Sequence, residues 1–253
     1  EQAIGLAVLE RDGERASLGA GGRELLELVE VAGARAVRAA TGLFHVAYLL
    51  PEREDLGIWL SHAIDARVSL EGASDHFVSE ALYLRDPDGH GIEVYADRPR
   101  SLWEGHVDAT MNTTPLDLPS LLALAEGRDG RYGGMPDGTV VGHVHLQVAD
   151  IASTIAFYAG VLGFGLMAEI QGTAAFFGAG GYHHQIAGNT WNSAGRAPAP
   201  DGFAALRQLT IVLPDDQARS DVRRRLDHHG IDVHEREDGL AVRDPSGTLI
   251  VLS

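Results

Sequence analysis

The chain has 253 residues, 45% of them apolar, and a formal net charge of −16; it can bury one large or two medium cores, and it lacks the basic surface that nucleic acids require. Cysteine and lysine are both absent, which excludes disulfides, thiolate metal sites and lysine Schiff bases. No apolar run approaches the roughly 18 residues of a membrane-spanning helix and no opening stretch reads as a signal peptide, so a cytoplasmic protein without a membrane partner is expected.

Internal repeats organise the chain. Ile4-Gly5-Leu6 matches Leu162-Gly163-Phe164, and Leu18-Gly19-Ala20-Gly21-Gly22 recurs as Phe177-Gly178-Ala179-Gly180-Gly181. Leu49-Leu50-Pro51 recurs as Val212-Leu213-Pro214, and Arg85-Asp86-Pro87-Asp88-Gly89 as Arg243-Asp244-Pro245-Ser246-Gly247. Four modules follow: I over 1–31, II over 42–97, III over 141–190 and IV over 203–253. Module III opens with a strand, His143–Val148, and a helix, Ile151–Gly160. Their counterparts in module I would precede Glu1, so the first module is expected to be cut short by roughly twenty residues.

Module II shows the pattern of one unit. Leu43–Leu50 reads as a strand and Asp55–Ala66 as a helix. Val68–Leu70, Ala81–Arg85 and Gly91–Tyr95 read as strands, with Asp86-Pro87-Asp88-Gly89 as a hairpin turn. The order is β-α-β-β-β. Residues 98–140 read as a linker broken by a short helix near Leu118–Ala125, and Asn192–Gly202 as a second loop. The expected fold is therefore α+β: four βαβββ modules, the first truncated, in two domains over 1–97 and 141–253.

Module II also carries the densest chemistry. His45 lies in its first strand; His76, Tyr83, the Asp86–Gly89 turn and Glu93 follow in order. This spacing resembles the signature of extradiol ring-cleavage dioxygenases, with Ser74 departing from the usual residue type at its position. Ser79–Gly89, Tyr95-Ala96-Asp97-Arg98-Pro99, Gly181-Tyr182-His183-His184 and Asn189-Thr190-Trp191 look like the bacterial catechol-2,3-dioxygenase-like members. The whole chain is similar to the four-module proteins of the vicinal-oxygen-chelate superfamily (glyoxalase, bleomycin resistance, extradiol dioxygenase).

The resemblance implies half-barrel domains and two His plus one carboxylate on Fe(II), with Mn(II) or Zn(II) as alternatives. It implies a small aromatic diol and O2 as substrates, and it is compatible with a homodimer. Carried over, His45 and Glu93 match metal ligands, while His76 and Tyr83 match catalytic acid/base and hydrogen-bonding residues. On the first and last strands of one curled module, His45 and Glu93 can point into one concavity, and imidazole with carboxylate suits Fe(II) while leaving positions open. In relatives of this architecture the metal also sits in the C-terminal half, whereas the signature here lies in the N-terminal half.

The third ligand has two sources. His143 and His145 share one face of the first strand of module III, and His145 is matched to His45 as the expected ligand. A residue before Glu1 is the other source. On the last strand of module III, His183 and His184 are candidates for a metal or substrate contact, and alternation lets only one face the cavity. Module IV has Gln208, His234, Ala241 and Val251 at the matching places, a scaffold with most of the chemistry removed. Two other functions fit such a chain. One is a glyoxalase- or epimerase-type metal reaction, favoured by the extra His183 and His184. The other is a metal-free binding protein with an aromatic cleft, for which Trp103, Trp191, Phe176 and Phe177 are available.

Overall fold

The computed structural model describes residues 2–36, 39–126 and 132–253. In chain order, β1 (Ala7–Asp12), β2 (Arg15–Ala20) and β3 (Arg23–Val29) come first, then β4 (Arg35–Ala36) and β5 (Gly42–Leu49). Helix α1 (Arg53–Asp65) leads to β6 (Gly72–Asp75), β7 (Ser79–Arg85) and β8 (Gly91–Asp97). A 3-10 turn (Arg100–Leu102), α2 (Val107–Thr110), β9 (Thr114–Pro115) and α3 (Leu118–Ala123) precede β10 (Val140–Gln147). Helix α4 (Ile151–Ile155) continues as a π-helix (Ala156–Leu162) into β11 (Gly165–Ile170), β12 (Ala174–Gly178) and β13 (Ile186–Asn189). Last come β14 (Phe203–Ala204), β15 (Leu209–Ile211), α5 (Asp216–His228), β16 (His234–Arg236), β17 (Gly239–Arg243) and β18 (Leu249–Leu252).

Two compact units emerge: Glu1–Ala34 with His45–Val144, and Arg35–Phe44 with His145–Ser253. In the first, β1, β2 and β3 form an antiparallel sheet, the βββ portion of module I. Module II is a full βαβββ unit whose strands lie in the order β5-β8-β7-β6. In the second unit, module IV repeats that order as β15-β18-β17-β16. The strands of module III run β13-β12-β11 from the β10 side. In modules II and IV the first strand is parallel to the last. Among the described residues no helix is long and apolar enough to cross a membrane.

Local chemistry sets these elements. The Asp55 carboxylate accepts the Glu52 backbone N–H at 3.2 Å and closes the first turn of α1. Leu56, Trp59, Leu60 and Ala63 follow at helical spacing, and all are buried. They pack against Leu82, Leu84 and Val94 of the sheet and against Leu116, Leu121 and Met135. The last three come from the segment expected as a linker, so 98–140 contributes to the core of the first unit. Its residues 127–131 lie outside the described residues. Gly57 lets α3 approach α1: a Cβ there would sit 2.5 Å from the Leu121 carbonyl oxygen. Gly57→Ala is expected to destabilise the fold by about 1–3 kcal/mol through overpacking; a lowered denaturant midpoint at unchanged slope is the measurement.

Three boundaries differ from the sequence expectation. Val68–Leu70 is not a strand, because the Val68 N–H donates to Ala63 O at the end of α1 and Arg67 takes φ +55°; pairing with β7 begins at Glu71. The helix of module III is α-helical only to Ile155 and then widens to π, burying Phe157, Tyr158, Val161 and Leu162 before Gly163 at φ +90° ends it. The last strand of module III starts at Ile186, so His183 and His184 stand in the preceding turn. Gly180 and Gly181 make that turn at φ +60° and +70°, and the Tyr182 N–H donates to Ala179 O across it.

Candidate metal centre

Register brings the site together. Strand β5 pairs with β8 so that Ala47 lies beside Glu93, and β7 pairs with β8 so that Tyr83 lies directly across from Glu93. His45 is two residues before Ala47 and therefore faces the same side. His143 comes from the first half of β10, within the same compact unit. Its ring meets His45 at a centroid distance of 5.3 Å and Tyr95 at 4.9 Å. Gly142 makes room beside it, since a Cβ there would fall 1.9 Å from the Tyr95 hydroxyl.

The three polar atoms form a closed triangle. His45 Nε2 is 3.2 Å from His143 Nε2 and 3.0 Å from Glu93 Oε2, and His143 Nε2 is 3.2 Å from the same oxygen. All three side chains are buried. Burial alone would raise the Glu93 pKa, but the facing His143 and His45 outweigh it and hold the carboxylate well below its usual range. Hydrogen bonds cannot satisfy this triangle. An ionised carboxylate only accepts, and each Nε2 offers either one proton or one lone pair. Two protons aimed at Glu93 oppose each other across the His45–His143 edge, and a lone pair in either place opposes the carboxylate. A cation at the centre takes all three lone pairs at once. Bonds of about 2.1 Å meeting near right angles place donor atoms about 3 Å apart, the spacing seen here. The donor set thus fits one metal ion. Among the described residues, His45, Glu93 and His143 are the one group placed to hold it.

Of the residues singled out from sequence, His45 and Glu93 stand in the triangle and His145 does not. His143 and His145 share a face of β10 but stand about 6.7 Å apart along the strand, so only one can join donors spaced about 3 Å apart. In the second unit, His145 Nε2 accepts from the Asn189 side-chain amide at 3.0 Å, and its ring is walled by Phe44, Phe176 and Trp191 at 5.0, 5.8 and 5.7 Å. His183 and His184 are both buried there, Nδ1 to Nδ1 at 2.8 Å, so alternation does not separate them.

His76 and Tyr83 stand beside the triangle. His76 Nδ1 lies 3.0 Å from the Asn112 carbonyl oxygen and 3.2 Å from Thr113 Oγ1; the carbonyl can only accept, which favours the Nδ1–H tautomer. The neutral ring then presents a lone pair at Nε2, 2.7 Å from the Tyr83 hydroxyl. Burial, followed by the charge of Glu93 directly across the strand pair, raises the Tyr83 pKa well above its ordinary value. With His76 neutral, Tyr83 donates to Nε2; with His76 protonated, Nε2–H donates to Tyr83. Asn112 is invisible to spacing arguments, since it lies 36 residues from His76 and contributes only backbone atoms.

Comparison with known proteins shows what the chain resembles. A protein of Bacillus subtilis (strain 168) named catechol-2,3-dioxygenase is 42% identical over 254 residues, covering 98% of this chain and 88% of that one. The fold matches a solved protein of Bacillus subtilis subsp. subtilis str. 168 with a TM-score of 0.65 (16% identity, 99% of this chain and 77% of that one). It also matches glyoxalase I from Zea mays with a TM-score of 0.58 (17% identity, 99% and 84%). The family model described as Glyoxalase/Bleomycin resistance protein/Dioxygenase superfamily matches residues 1–94 and 140–252, and the chain belongs to that superfamily.

Proposed function

We propose that the chain is an extradiol dioxygenase that opens the ring of a small catechol next to its two hydroxyls, with Fe(II) held by His45, Glu93 and His143. The observation that carries this reading is the triangle of two imidazoles and one carboxylate, with the hydrogen-bonded His76–Tyr83 pair beside it and Tyr83 across the strand pair from Glu93. Three donors on one side of an ion leave positions for substrate and O2, the arrangement typical of non-haem iron oxygenases. Manganese(II) suits the same donors. Zinc(II) fits less well, because a tetrahedral ion spreads its donors to about 3.4 Å. The relative named catechol-2,3-dioxygenase supports the reading over nearly the whole chain.

The bound ion would supply Lewis acidity toward the diol and a redox partner for O2. The chain's own residues handle the protons. Tyr83 relays a proton from a catechol hydroxyl to the Nε2 of neutral His76, which later returns it to the product. With His76 protonated, Nε2–H holds the Tyr83 oxygen and the Tyr83 hydrogen can be donated to the reacting oxygens. Catechol and O2 together give a ring-opened hydroxy-semialdehyde acid, so both oxygen atoms are retained and no external reductant is consumed. Neither nucleic acid nor membrane takes part in this reading.

O2 uptake by the Fe(II)-loaded protein against a panel of catechols tests it. Catechol-dependent uptake supports the reading, and no uptake at verified full iron occupancy rejects it.

A further inference from the structure

The sequence singles out Tyr95-Ala96-Asp97-Arg98-Pro99, and the catalytic reading leaves Arg98 without a role. Arg98 lies just beyond β8, five residues after Glu93. Its Nε donates to Asp75 Oδ1 at 3.0 Å and its Nη2 to Asp75 Oδ2 at 2.5 Å, a two-pronged pair. Its Nη2 also reaches Glu80 Oε1 at 3.3 Å. Glu80 is buried and takes a second arginine, Arg53, as partner. The Arg98 backbone is anchored on both sides: its N–H donates to Val78 O at 2.9 Å, and its C=O accepts the Nε1–H of buried Trp103 at 3.0 Å.

Asp75 is the residue before His76. Its Oδ1 also accepts the Phe77 N–H at 2.8 Å. Phe77 holds φ +63°, a left-handed conformation that disfavours a non-glycine residue by about 1–2 kcal/mol. Strain of this kind persists where surrounding contacts over-determine the backbone, and it collects at functional sites. The His76 N–H donates to Ser79 O at 2.8 Å, closing the turn, and the His76 C=O accepts the Asn112 N–H at 3.2 Å. Besides these backbone bonds, the bonds of the His76 ring itself and the Thr114 hydroxyl on Asp75 O, the turn is held by the Asp75 carboxylate, and Arg98 is what fixes that carboxylate. Burial would raise the Asp75 pKa, but Arg98 and the Phe77 N–H outweigh it and keep the carboxylate ionised.

We propose that Arg98 is a positioning residue for His76: through its two-pronged pair with Asp75 it fixes the Asp75–Ser79 turn that aims the imidazole at Tyr83. The inference rests on the reading of His76 as the acid/base group. Without that hold the backbone at His76 could shift, and displacement by about 1 Å is enough to lower turnover by about 100-fold.

Two readouts test it separately from that reading. The first is the imidazole proton spectrum of the full chain loaded with diamagnetic zinc(II). A slowly exchanging His76 Nδ1–H is expected in the unmodified protein and in Arg53→Ala, which loosens Glu80 but leaves Asp75 paired. The signal is expected to vanish in Arg98→Ala and in Asp75→Asn, whose near-identical shape guards against loss of fold. The second is turnover of the iron-loaded protein. Either substitution is expected to lower kcat about 10- to 100-fold with KM within about threefold. In a His76→Phe background the same substitution should change residual turnover less than about twofold, because coupled residues are not additive. A retained Nδ1–H signal in both variants, or equal losses in both backgrounds, overturns the positioning role. Full turnover in His76→Phe alone instead rejects the acid/base reading, while the proton spectrum still reports on Arg98.

Discussion

His143→Ala is expected to strip the metal from the protein, while His145→Ala leaves metal content unchanged. The two residues have the same type, strand and face, so the pair separates geometry from composition. His143 Nε2 lies 3.2 Å from both His45 Nε2 and Glu93 Oε2, whereas His145 Nε2 is bonded to the Asn189 amide in the second unit. Loss of an outer partner of a metal ligand weakens binding about 10- to 100-fold; loss of one of three ligands is expected to exceed the upper end of that range. Metal analysis after dialysis against a weak chelator measures both variants. Equal retention in the two, or loss in His145→Ala alone, would sink the assignment.

His76→Phe is expected to lower kcat by about 100- to 10,000-fold, the usual contribution of a positioned acid/base group. Metal content should stay at the level of the unmodified protein, because His76 reaches the triangle only through Tyr83. Phenylalanine keeps the ring's bulk against Tyr83, now 6.3 Å from it by centroids, and removes both nitrogens. A variant that loses metal in proportion to activity would show that His76 supports the site rather than moving protons.

The repeats make most of the fold legible, because modules II, III and IV each pair one helix with a sheet of the same strand order. Even the Asp-Pro-x-Gly turn recurs for a structural reason. Asp86 accepts the N–H groups of Asp88 and His90, and Asp244 accepts those of Ser246 and Thr248, although module IV has Ala241 and Val251 in place of Tyr83 and Glu93. The turn is scaffold in both modules, and the proposed site residues Tyr83 and Glu93 flank it in module II alone.

His143 is legible too, by counting rather than by residue type. The helices of modules II, III and IV are capped at Glu52, Asp150 and Asp215. Seven residues before each cap stand His45, His143 and Gln208. A match by strand face alone admits His145 equally, because residues i and i+2 are equivalent by alternation. The turn holding His183 and His184 escapes alternation altogether, since two positive-φ glycines end the extended backbone before them. Contacts such as Asn112 to His76 and Arg98 to Asp75 join residues 36 and 23 positions apart, and no local pattern encodes them.

The most direct measurement of the central claim is the stoichiometry and identity of the product formed by the Fe(II)-loaded protein from a catechol. The account predicts one O2 consumed per catechol and a yellow ring-opened hydroxy-semialdehyde acid. A colourless dicarboxylic acid, from cleavage between the hydroxyls, or an intact ring at full iron occupancy would contradict it.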